Sequence, residues 1–467
     1  MSTETRRPVA ERFRRRFVAV VLVLVVVAGL AAVVGSQQGP RLRSVAYDAS
    51  GIVSRPAQRV IITANQALQR VTASDVRVSP AAAHTVTSSG NTVAVEFAGP
   101  LEYDRSYTVT VAGARAPGQQ ATSDLRATIR TGSTDVLALV RGAGAAEDRI
   151  VRRSLDASGA TTVYEGPDIA EYVRLGRFLV VLSDTAVGES SIDVVSLADG
   201  VEDQDAPVEH LTLPTPAGHA SALHAADDGA SFGFQYADTS SGESKDVGLY
   251  VVDMTGTHMP EAIAADGRPT IGAVPMTVSQ WAYVPRTESA LVRTGTDELF
   301  LVDMSGRAEV VRLGSATYLH GFVGSGTTAV VESGTGIQRV DLTSGKRAPI
   351  TAPALSTDAP YLGRIAQLTD RTYLRTVGDV RDDGTIASRI VRVDGTRASR
   401  LHVTIPTDAT LNAVCPSPNG QFVALATRTR DGALVSIVDA TTGALEASTA
   451  GEQVDWCTAL PSGDEVG

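Results

Sequence analysis

Cysteine, lysine and aromatic side chains are all scarce in this chain. Its 467 residues include two cysteines, Cys415 and Cys457, and neither lies near the N-terminus, which excludes lipid attachment to a cysteine there. Lysine occurs only at Lys245 and Lys346, so nearly all positive charge is arginine. Aromatic residues make up 5%, and Trp281 and Trp456 are the only tryptophans. Sugar-binding clefts use aromatic platforms, so this shortage counts against a glycan-degrading enzyme. The catalytic and phosphate-binding patterns His-Glu-x-x-His, Gly-x-Ser-x-Gly and the P-loop are absent. A surplus of positive charge is lacking too. The net charge of -11 argues against a nucleic-acid binder, whose affinity rests on neutralising phosphates. With 43% hydrophobic and 20% charged residues, a disordered chain is excluded as well.

What is present begins with an uncharged run at residues 17–35, FVAVVLVLVVVAGLAAVVG. As a helix it rises roughly 28 Å, near the hydrocarbon thickness of a bilayer. Arg6, Arg7, Arg12, Arg14, Arg15 and Arg16 precede it against Glu4 and Glu11. The positive-inside rule then predicts a cytoplasmic N-terminus, a single-pass anchor in a cell membrane and an extracytoplasmic bulk. The rival is a cleaved signal peptide, whose apolar core is usually shorter.

After a polar break, residues 41–131 read as short β-branched strands separated by turns, which predicts a β-sandwich of about 90 residues. Val60-Ile61-Ile62-Thr63, Asp75-Val76-Arg77-Val78, the stretch 92–97 and Tyr107-Thr108-Val109-Thr110-Val111 are its clearest strands. With Pro100-Leu101 ahead of Tyr107-x-Val109-x-Val111, the segment resembles the bacterial Ig-like domains of surface-layer and other envelope proteins. The resemblance implies a spacer or adhesion module in which the tyrosine anchors the start of a late strand.

Residues 132–467 hold a repeat: an apolar strand, an Asp or polar residue, then a Gly turn. Val252-Asp253-Met254-Thr255-Gly256, Val302-Asp303-Met304-Ser305-Gly306 and Val438-Asp439-Ala440-Thr441-Thr442-Gly443 are clear copies. Seven copies between Asp156 and Asp439 give a period of roughly 47 residues, that of a four-stranded propeller blade. Asp in such a turn accepts backbone N–H bonds. Ahead of it runs a strongly apolar strand such as Phe178-Leu179-Val180-Val181-Leu182, and after it a more polar one such as Arg400-Leu401-His402-Val403-Thr404-Ile405. That grading predicts strands running from a buried centre to a solvated edge. Cys415-Pro416-Ser417-Pro418-Asn419-Gly420 resembles the Ser-Pro-Asp-Gly turn of TolB and WD40-like propellers, with Asn419 in the Asp place. No Trp-Asp dipeptide ends any copy.

The first copy begins directly with its second-type strand, Val136-Leu137-Ala138-Leu139-Val140, and the chain end supplies an orphan at residues 454–460. The ring is therefore predicted to close with a C-terminal strand. Cys415 and Cys457 fall at like positions on neighbouring inner strands, 42 residues apart, and are predicted to pair. Two buried free thiols are the alternative. His224, Trp281, His320 and Trp456 are placed on first strands as candidate channel-lining residues. As a metal pair the two histidines lack a third ligand. Asp382-Asp383-Gly384, with Asp379 nearby, reads as a hairpin loop rather than a calcium loop.

The chain thus reads as mainly β: a basic tail at 1–16, a transmembrane helix at 17–35, an Ig-like sandwich at 41–131 and a seven-bladed β-propeller at 132–467. The expected function is non-enzymatic binding or scaffolding at a bacterial cell envelope, with no cofactor, no metal, no nucleic acid and a protein or glycan partner. An envelope hydrolase or lyase whose acid and base converge from different blades is the first alternative. A structural spacer is the second.

Overall fold

Short runs of β-branched residues divided by Gly and Asp turns build nearly everything in the computed structural model. It describes residues 8–36, 38–144, 146–155, 159–185, 189–197, 208–240, 247–324, 326–350, 361–382 and 384–461. The chain divides into two compact units, Met1–Gly132 and Ser133–Gly467.

The first unit opens with helix α1, Pro8–Ser36. Here the structure corrects the sequence reading. Among the described residues no helix is long and apolar enough to cross a membrane. The described side chains of α1 run from Phe13 to Val27 and include Arg14, Arg15 and Arg16. The transmembrane helix, the single-pass anchor and the cell-membrane localisation are withdrawn.

Seven strands follow: β1 (Leu42–Ala46), β2 (Arg59–Ala64), β3 (Val76–Ser79), β4 (His84–Ser89), β5 (Thr92–Phe97), β6 (Ser106–Arg115) and β7 (Thr122–Arg130). They form two antiparallel sheets of order β1-β2-β5-β4 and β3-β6-β7. Strand β5 buries Val93, Val95 and Phe97, and β7 buries Leu125, Ala127 and Ile129. Such alternation is what two sheets packed face to face require. The Tyr107 hydroxyl, at the start of β6, accepts a hydrogen bond from the Glu102 backbone N–H at 3.3 Å.

The second unit is a β-propeller of seven successive antiparallel sheets, and each of blades 2 to 7 is formed by consecutive strands. The first strands of these six blades are Ile169–Leu175, Gly218–Ala225, Gln280–Tyr283, Tyr318–Phe322, Tyr361–Gln367 and Thr410–Pro416. Each of the first five touches the first strand of the next blade. Blade 1 combines Asp135–Val140, Asp148–Ser154 and Ala160–Gly166 with Glu452–Val454 from the far end of the chain. That closing strand pairs Glu452 with Leu139 and Val454 with Ala138. It is shorter than the predicted strand at 454–460, because the chain leaves the sheet at once for a 3-10 helix, Asp455–Ala459.

The core is a series of apolar layers, each between two neighbouring blades. Leu179 and Val181 face blade 1, while Val180 and Leu182 face blade 3. Strands buried on both faces read as continuous apolar runs, which is why the second strands stood out in the sequence. Outermost strands such as Arg397–Arg400 are exposed throughout. The Asp turns end the third strands: the Asp253 carboxylate accepts from the Thr255 N–H at 2.8 Å, and that of Asp341 from the Thr343 N–H at 2.9 Å. Turn copies at residues 156–158 and 198–200, and Asp383 of the acidic loop, lie outside the described residues. Asp379 of that loop pairs with Arg389 at 2.8 Å.

Candidate functional site

The first strands of six blades are irregular. Their ladders slip between Ile169 and Glu171, Ser221 and His224, Leu319 and Gly321, Leu362 and Ile365, Leu411 and Ala413, and Glu452 and Val454. A bulge re-aims a side chain. Ala222 and Gln453 take left-handed φ values of 56° and 48° there. Leu223, Arg364, Asn412 and Gln453 from these irregular stretches all line one cavity of about 540 Å³. Blade 2 adds Glu171 and Tyr172, blade 3 His224, and blade 7 Val414 and Cys415.

The remaining wall is the end of the chain itself, through Cys457, Thr458, Leu460 and Pro461. The 3-10 helix touches strands of blades 1, 2, 3 and 7. A Cβ built on Gly321 of blade 5 would stand 3.2 Å from Leu460. This segment therefore crosses the channel and is tied down from several sides. The Asp455 carboxylate accepts from the Leu137 N–H at 2.9 Å and pairs with Arg174 at 3.0 Å. Tyr172 donates its hydroxyl proton to the Gln453 carbonyl at 2.6 Å. His224 donates from Nδ1 to the Thr458 carbonyl at 2.7 Å. A disulfide joins Cys457 to Cys415, with Cα atoms 5.0 Å apart.

Burial sets the titration of these groups. It pushes Asp455 up to about 6, against the pull of Arg174 and the Leu137 N–H. It lowers His224 to about 4, so the imidazole is neutral at pH 7. It raises Glu171, although the Leu223 and Ala222 N–H groups hydrogen-bond its two oxygens. His320 is likewise lowered by burial. Glu452 binds both Arg141 and Arg428, and Arg141 also binds Asp148. Arg364 donates from Nε and Nη2 to the Tyr318 hydroxyl at 3.1 and 2.8 Å, with the guanidinium 5.6 Å from the ring centroid.

The four candidate lining residues have different fates. His224 faces the cavity. Trp281 lies on the first strand of blade 4, fully buried, with its ring centroid 4.7 Å from that of His224 and its indole N–H on the Ala222 carbonyl. Gly233 leaves it room: a Cβ there would come within 2.7 Å of the indole. His320 is turned away, accepting from the Ile365 N–H on Nδ1 and facing Glu332 through Nε2 at 3.1 Å. Trp456 is buried in the 3-10 helix instead of standing on a first strand. The structure thus joins His224 to Trp281 and keeps His320 apart. Among the described residues no three His, Cys, Asp or Glu side chains converge as metal ligands.

Glu171, Arg364, Asn412 and Glu452 were not foreseen. Their signal is a charged or amide residue inside an apolar first strand, as in Ile169-Ala170-Glu171-Tyr172-Val173 and Tyr361-Leu362-Gly363-Arg364-Ile365.

No family model matches the chain, and no curated protein matches it. Among solved structures, the periplasmic gluconolactonase of Pseudomonas aeruginosa is 13% identical, with 71% of this chain and 98% of that chain covered and a TM-score of 0.40. An oligogalacturonate lyase in complex with manganese is 11% identical over 89% of this chain and 98% of that one, with a TM-score of 0.42. A protein assigned as TolB from Agrobacterium tumefaciens is 15% identical over 69% and 91%, with a TM-score of 0.34. At these values none of them bears on the chemistry of the site.

Proposed function

We propose that this chain is a non-enzymatic binding or scaffolding protein, in which the propeller supplies the recognition surface and the first unit an Ig-like spacer. One observation carries the reading. The chain's own C-terminal segment crosses the channel, and the buried titratable groups there hold that segment and the bulged strands in place. Asp455 and His224 fasten the segment, and Glu171 caps two backbone N–H groups. The Ig-like assignment is supported by the strand orders β1-β2-β5-β4 and β3-β6-β7 and by the Tyr107 hydroxyl on the Glu102 N–H.

A hydrolase or lyase is the second reading, favoured by the presence of Glu171 and His224 on one cavity. A carboxyl raised by burial beside a neutral imidazole is the raw material of acid–base catalysis. The test is an assay of the purified chain on ester, lactone, glycan and peptide substrates. No turnover is expected. Turnover that disappears in Glu171→Gln or His224→Ala would replace the binding reading with the enzymatic one.

A further inference from the structure

Resting on that binding reading, we infer that the channel cavity takes a small organic monocarboxylate, its anionic end on Arg364 and its apolar body against Leu223, Leu411 and Val414. The argument starts from charge. Arg364 lines the cavity, and among the described residues no carboxylate lies within ion-pair distance of it. Its fixed contact is the Tyr318 hydroxyl, which accepts from Nε and Nη2 and holds the guanidinium in one orientation. A hydroxyl fixes the group without neutralising it, and among the described residues nothing takes the Nη1 donors. A planar guanidinium with spare donors matches the oxygens of a carboxylate or a phosphate.

The other charges of the wall are accounted for. Arg428 and Arg141 both bind Glu452, and Asp148 completes that group at zero net charge. Glu171 belongs to blade 2, across the seven-membered ring from Arg364 on blade 6, and both its oxygens accept backbone N–H groups. It repels an anion from that side and so orients the ligand's charged end toward blade 6. His224 and His320 add no positive charge, since burial keeps both neutral. A single cation without an ion-pair partner, facing Glu171 across the cavity, favours a singly charged carboxylate over a phosphate dianion. A volume of about 540 Å³ suits a small molecule, and Leu223, Leu411 and Val414 give it an apolar wall.

The experiment is a calorimetric titration of the full chain with hexanoate and phenylacetate, their neutral amides, and inorganic phosphate. The acids are expected to bind, and each amide to bind about tenfold more weakly or worse, as the loss of a charged hydrogen bond dictates. Arg364→Met should weaken the acids by a similar factor and leave the amides unchanged. Arg364→Lys, which keeps the charge and loses the fork, should fall between the two and serves if Arg364→Met does not fold. The inference is overturned if acid and amide bind alike, if phosphate binds more tightly than the acids, if Arg364→Lys and Arg364→Met bind the acids as the parent does, or if neither acid binds at millimolar concentration. None of these outcomes touches the binding reading, which only catalytic turnover would displace.

Discussion

Asp455 shows how one side chain carries both a structural role and a cost. It is a fully enclosed carboxyl held by Arg174 and the Leu137 N–H, and desolvation still raises it from 3.8 to about 6. A carboxyl raised on folding binds its proton more tightly in the folded chain. Its contribution is therefore most favourable below the unfolded value and is lost as pH climbs through the interval to about 6. The loss amounts to roughly 3 kcal/mol. Asp455→Asn removes the titration and keeps an acceptor for Leu137. Urea unfolding at pH 4, 5, 6 and 7 is expected to show the variant gaining on the parent between pH 4 and 6, with a constant difference above. Parallel pH profiles for the two proteins would show that Asp455 does not titrate in that window.

At the scale of the element, the 3-10 helix Asp455–Ala459 is too short to hold itself together. It is kept across the channel by side-chain anchors and by the bond from Cys457 to Cys415. Such a bond persists in an oxidising environment. Closing a loop of 42 residues stabilises a chain by about 4 kcal/mol in the entropic description. The double variant Cys415→Ser with Cys457→Ser should unfold at a correspondingly lower urea concentration. Thiol labelling of the unfolded, unreduced parent should find no reactive thiol, and two reactive thiols would disprove the bridge in solution.

For the whole propeller unit, the question is how a ring of blades closes. The strand Glu452–Val454 joins the last part of the unit to its first blade, and Glu452 ties Arg141 near the start of the ring to Arg428 near its end. Each inter-blade layer depends on both its neighbours, so an open ring exposes a blade face on either side of the gap. Deletion of residues 452–467 is expected to lower the melting temperature sharply and to broaden the transition. An unchanged melting curve would mean that the ring stands without its closing strand.

The β class, the seven-fold repeat and the turn chemistry were legible in the chain. Those features rest on local patterns: continuous apolar runs where both faces are covered, and Asp placed to accept the N–H groups of its own turn. The chain also held the spacing from which a Cys415–Cys457 pair was expected, although spacing alone left free thiols open, and Cys457 lies in the 3-10 helix and not on an inner strand. Strands β1 and β4 went unread, since neither buries a residue fully and both leave a weak pattern. The site was not legible in the sequence, because contacts between distant blades set it. Glu171 and Arg364 are separated by 193 positions in the chain and share a cavity because bulges turn single residues of separate blades toward one axis. Whether Trp456 stands on a strand or in a 3-10 turn was likewise settled by distant groups, Leu137, Arg174 and Cys415, which hold the chain end across the channel. Bulges and long-range anchors of this kind leave no periodic trace, because they depend on which neighbour each strand meets once the ring has closed.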